Sequence, residues 1–82
     1  MDRNTLYWSE DLMMRFIKYA MLNKEESEIL RLYILDYTIN EIADEIGLSP
    51  STVARRLKIM RLKYDNLINN GYDFPSRKNL QF

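Results

Sequence analysis

The stretch Thr38 to Leu57, TINEIADEIGLSPSTVARRL, restricts the fold of this chain more than any other. Thr38 and Glu41 have the spacing of a capping box, in which the threonine oxygen accepts a first-turn N–H and the glutamate returns the bond. A helix is therefore expected from Ile39. Ile42, Ala43 and Ile46 share one face of it, and Asn40, Glu41, Asp44 and Glu45 fall towards water. Gly47 supplies the left-handed conformation that ends a helix at little steric cost. Leu48 plugs the corner. Ser49 is a good N-cap, and Pro50 suits the first helical position, where a missing N–H does no harm. In the second helix Val53 and Leu57 lie one turn apart and face the first. Ser51, Thr52, Arg55, Arg56, Lys58 and Ile59 are left largely outside. A small residue, a turn residue and a branched anchor in this order suit two helices that meet at a steep angle.

The flanking segments are helical too. Ser9 is an N-cap candidate, with Trp8 placed to pack on Met13 as a hydrophobic staple and Glu10 and Asp11 in the first turn, where the helix dipole favours acids. Leu12, Met13, Phe16, Ile17 and Ala20 make an apolar stripe that predicts a helix ending near Leu22. Asn23 and Glu26 repeat the capping-box spacing and open a helix expected over Lys24 to Asp36. Ile29, Leu30, Leu32, Tyr33 and Ile34 are too many apolar residues for one narrow stripe, so this helix is expected at the centre. Beyond the motif, Val53, Leu57, Met60, Tyr64 and Leu67 recur at intervals of four and three. That seam can pack on the first two helices or meet a second copy as a short coiled coil. Asn69, Asn70 and Gly71 stop the last helix. Tyr72 to Phe82 is a tail with Pro75 and scattered aromatics, and its sequence leaves open whether it folds back, grips a partner or stays loose. The expectation is an all-α bundle of about four helices containing a helix-turn-helix and a long C-terminal recognition helix. Its organisation would be an arm over residues 1–8, a helical domain over 9–70 with the motif at 38–57, and a tail over 71–82.

Composition narrows the chemistry. The 82 residues include no cysteine and no histidine, which removes disulfides, zinc-finger chemistry, thiol nucleophiles and imidazole bases. Glu41, Asp44 and Glu45 are neighbouring acids, but on an exposed helix face they read as solvated rather than as a metal site. An enzyme is not expected, nor a cofactor. No uninterrupted apolar run is longer than that of Leu32 to Leu35, far short of a membrane span, and there is no basic-then-apolar leader, so a soluble, cytoplasmic protein is expected. Net charge is zero, yet it is unevenly placed. Residues 24–45 hold seven acids and two bases, and residues 46–82 hold seven bases and two acids. From Arg55 to Lys63 there are five bases and no acid. Attraction to phosphate depends on the face presented rather than on the sum.

Residues 25–67, EESEILRLYILDYTINEIADEIGLSPSTVARRLKIMRLKYDNL, resemble the four-helix DNA-binding region of bacterial sigma factors that reads the −35 promoter element. They are also similar to the output domains of response regulators. The shared features are an EEx-IL helix, EIA-EIGLS and STV-RRL, where x and the dashes mark open positions. The resemblance implies that residues just after the N-cap and one turn later contact bases, which here are Pro50, Ser51, Thr52, Arg55 and Arg56. The chain departs from a sigma factor in having no second region for the downstream element or the polymerase clamp. A free-standing copy of this size looks like a small phage or mobile-element regulator.

The expected function is sequence-specific binding of double-stranded DNA, with transcriptional regulation as its purpose and helix 50–69 in the major groove. Ser49, Pro50, Ser51 and Thr52 bring the helix N-terminus close to the duplex. Of Arg55 and Arg56, about 100° apart on the helix, one reads a base, matching guanine O6 and N7 with two parallel bonds, and the other reaches a phosphate. Lys58, Arg61 and Lys63 contact phosphates, and Ile59 meets a thymine methyl or packs half-buried. A single module binds weakly, so the expected partners besides DNA are a second copy, joined through the last helix or the tail, or RNA polymerase. The alternatives are a protein-interaction module anchored by Tyr72, Phe74, Leu80 and Phe82, and a phage DNA-packaging or recombination accessory.

Overall fold

The structure, a computed structural model, describes residues 8–82; the greater part of the expected arm, residues 1–7, lies outside them. Five helices follow one another: α1 (Glu10–Tyr19), α2 (Lys24–Ile34), α3 (Ile39–Ile46), α4 (Pro50–Asn69) and α5 (Arg77–Leu80). Four of their five N-termini are closed by side chains. Ser9 Oγ accepts from Leu12 N at 3.0 Å and Ser49 Oγ from Thr52 N at 3.2 Å. Asn23 with Glu26, and Thr38 with Glu41, form complete capping boxes.

Helix ends are set by backbone conformation. Gly47 sits at φ 82° and ends α3, its N–H donating to the Ala43 carbonyl. Two helices stop earlier than their apolar spacing suggests, because non-glycine residues take the left-handed turn. Met21, at φ 55°, ends α1 at Tyr19 rather than near Leu22, and Asp36, at φ 72°, ends α2 at Ile34. In each turn the next residue donates back into the helix, Leu22 N to the Ile17 carbonyl and Tyr37 N to that of Leu32. These bonds satisfy carbonyls that a helix end leaves open.

α4 is the long axis of the molecule, about 30 Å at 1.5 Å per residue. α3 and α2 pack on its first half, and α5 packs on its second. Val53, Leu57, Met60 and Tyr64 are wholly buried, and Leu67 nearly so. The coiled-coil option for this seam therefore has no place here, since its residues are consumed inside the chain. α2 contributes Ile29, Leu30 and Ile34 to the core, with Leu32 and Tyr33 half-buried beside it. It packs chiefly on α3 and α4, while Lys24, Glu28 and Arg31 on its other side are exposed, so it is less enclosed than the crowding of apolar residues suggests.

The second half of the core is aromatic. Tyr64 lies 5.2 Å from Phe16, 5.4 Å from Phe74 and 5.8 Å from Phe82 between ring centroids. Trp8 closes the group at 5.2 Å from Phe82. Residues 72–82 thus fold back. The Tyr64 hydroxyl donates to the Pro75 carbonyl, Arg77 makes two bonds to Asp65 at 2.9 and 3.0 Å, and Phe74, Leu80 and Phe82 are buried. Trp8, read from sequence as the end of an arm, is likewise a core residue, buried with its staple partner Met13.

Two outcomes follow for stability. Phe82→Ala should cost about 3 kcal/mol, the usual loss for a buried phenylalanine, read as a lower urea midpoint. Burial pushes the Tyr64 phenol up to about 12, with Arg15 opposing the rise and Asp65 adding to it. Its folded pKa is above the unfolded value, so its contribution is complete below about pH 10 and is lost as pH rises through the folded value. Urea midpoints between pH 9 and 12 should fall more steeply for the wild type than for Tyr64→Phe.

Candidate nucleic-acid interface

The buried seam of α4 decides what its other side presents. With Val53, Leu57, Met60 and Tyr64 inward, a 3.6-residue turn carries Ser51, Arg55, Lys58, Ile59, Leu62 and Asn66 to the outer side. All six are exposed. Among the described residues Arg55 and Lys58 make no ion pair and no side-chain hydrogen bond, so both charges stand open to solvent. Ile59, for which sequence allowed either a groove contact or packing, is 40 % exposed. Leu62 is 59 % exposed and shares this stripe. It was missed because it is neither polar nor part of the motif, although its position opposite Val53 follows from helical spacing alone.

The N-terminal turn of α4 is a cluster of hydroxyls. Ser49 Oγ lies 2.9 Å from Thr52 Oγ1 and 3.3 Å from Ser51 Oγ. Ser49, Pro50 and Ser51 are exposed and Thr52 is half-buried. Nothing bulky covers this end, so backbone and hydroxyls can come close to a flat or grooved ligand.

Three of the predicted basic contacts stand elsewhere. Arg56 lies on one flank of α4, where its guanidinium pairs with the Glu25 carboxylate at 2.6 Å, in the first turn of α2. Lys63 shares that flank and is half-buried. Arg61 lies on the opposite flank. Its Nε donates to the Phe82 carbonyl, another nitrogen donates to Tyr33 Oη at 3.3 Å, and the guanidinium lies over the Phe82 ring at 5.6 Å and the Tyr33 ring at 5.7 Å. The five-base run is therefore divided between two exposed cations, two held by the protein itself and one beside the core. The physical reason is that α4 is packed on more than half its circumference, so charges near the buried seam meet internal partners.

Most of the acidic residues sit on the other helices. Asp44 and Glu45 are exposed on α3, and Glu41 is spent on the cap at Thr38. Among the described residues no three acids lie close enough to hold a metal ion, and no helix is long and apolar enough to cross a membrane. Of the anchors expected for a protein partner, Phe74, Leu80 and Phe82 are buried and so unavailable, which leaves Tyr72 exposed against the Tyr19 ring at 5.0 Å.

No curated protein and no solved structure is significantly similar to the chain. The family model of sigma-70 region 4 matches residues 20–59. That span runs from the end of α1 through α2 and α3 to Ile59, and so covers the capped helix pair, the Gly47 turn and the exposed N-terminal half of α4. Region 4 domains are DNA-binding and non-catalytic. Over residues 20–59 the chain is similar to sigma-70 region 4, a helix-turn-helix domain.

Proposed function

We propose that this protein binds double-stranded DNA in a sequence-dependent way, with the N-terminal half of α4 in the major groove, and that it regulates transcription. The observation that carries the reading is the exposed, unpaired Arg55 one turn into a sigma-region-4-like second helix, flanked by open hydroxyls at Ser49 and Ser51. The major groove admits one helix and presents a distinct pattern for each base pair. Arg55 is the base reader, suited to guanine O6 and N7. Lys58 meets phosphate, and Ile59 offers an apolar edge to a thymine methyl. Pro50, Ser51 and Thr52 set the depth of entry through short side chains and helix N–H groups.

The acidic surface of α2 and α3 orients the molecule by repelling the duplex from the wrong side. A single module makes a small footprint. RNA polymerase or a second copy supplies the remaining affinity, and the buried α4 seam directs any such contact to other surfaces.

Selection from a random duplex pool should enrich a defined motif, palindromic if two copies bind and a single half-site if a different partner assists. No enrichment would sink the reading. On the enriched duplex, Arg55→Ala should cost about 1–3 kcal/mol and relax choice at one base position. Lys58→Ala should weaken all sequences alike and reduce the slope of log K against log salt by about 0.9, whereas Arg61→Ala, already engaged with Phe82 and Tyr33, should leave that slope unchanged.

A further inference from the structure

The Arg56–Glu25 pair has a geometry that ordinary surface pairs lack. Both partners sit on packed elements, the first turn of α2 and the middle of α4, so neither backbone has to be ordered to bring them together. The two side chains are 29 % and 38 % exposed and approach to 2.6 Å. Arg56 occupies the border between the buried seam and the outer stripe. From there its guanidinium can lie back on α2 or swing out to the side that carries Arg55. It cannot do both, and leaving Glu25 would strand a carboxylate beside the incoming phosphates.

We infer that Glu25 is a positioning residue for DNA recognition: by holding Arg56 against α2 it withholds one cation from the duplex and leaves base reading to Arg55. This rests on the DNA-binding reading above and deepens it. A withheld cation removes one phosphate contact from every sequence, and the phosphate term dominates non-specific binding. Holding Arg56 back therefore lowers binding to random and to selected DNA alike, because the phosphate contact is common to both. Glu25 acts as a competitor for phosphate built into the same chain, and it sets the overall affinity while Arg55 sets the choice of sequence.

The other acids of α2 give the control. Glu26 is committed to the capping box with Asn23, while Glu28 is exposed and makes no ion pair among the described residues. Losing the Glu28 charge changes the general field near α4 without freeing an arginine.

The test is a double-mutant cycle on the full chain, titrating a random-sequence duplex and the selected duplex over a range of salt. Glu25→Gln should tighten binding to the random duplex by up to about eightfold near 0.1 M salt and steepen the salt slope by about 0.9, the signature of one added phosphate contact. Its gain on the selected duplex should be the same, leaving the ratio of the two affinities unchanged. In the Arg56→Ala background the same change should have no such effect, and Glu28→Gln should not reproduce it. Circular dichroism of each variant confirms that the fold is kept. Equal gains from Glu25→Gln with and without Arg56 would reduce Glu25 to a general charge effect and overturn the inference. So would an unchanged slope for Glu25→Gln while Arg55→Ala still weakens binding. Failure of the wild type to bind either duplex at low salt would remove the functional reading and this inference with it.

Discussion

Burial of one stripe of α4 is the constraint on which the other features depend. Val53, Leu57, Met60 and Tyr64 are each removed from water completely. At roughly 25 cal/mol per Å² of apolar area, four such side chains outweigh any surface charge contact in the molecule. Their burial locks the rotation of α4 about its own axis. Once that rotation is set, Arg55 and Lys58 point away from the protein, while Arg56 and Arg61 face its flanks. The charge pattern of the surface is thus a by-product of packing in the core.

α4 does two jobs along its length. Its first half joins α2 and α3 in the compact unit that matches sigma-70 region 4, and the match stops at Ile59. Its second half is a post around which α1 and residues 72–82 are wrapped through aromatic rings. Tyr64 is the centre of that second cluster, touching Phe16, Phe74, Phe82 and Trp8 and bonded through its hydroxyl to the Pro75 carbonyl. A small helical unit gains a larger core this way, which matters because surface-to-volume ratio leaves short chains little margin.

Much of this was legible in the sequence because it depends on local chemistry. Asn23 with Glu26, Thr38 with Glu41, and Gly47 before Ser49 and Pro50 mark helix boundaries by hydrogen bonding and backbone freedom within a few residues. The ends at Tyr19 and Ile34 were harder, since Met21 and Asp36 carry no signal as strong as glycine for a left-handed turn. The fate of the tail was not legible at all. Nothing near Phe82 says that its ring will lie against Trp8 and Tyr33. The partner of Arg56 was hidden for the same reason, because Glu25 lies on another helix and the pairing exists only once α2 and α4 have been packed together. Local rules give the elements and the outward face, and long-range contacts decide which charges on the border remain open.

The contact between Trp8 and Phe82 joins residues at opposite ends of the described chain, with ring centroids 5.2 Å apart. Closing so large a loop carries an entropic cost that the aromatic core must exceed. The chain has one tryptophan, and it sits at this closure. Its fluorescence therefore reports the docking of residues 72–82 directly, an intrinsic optical gauge of whether the wrap is in place.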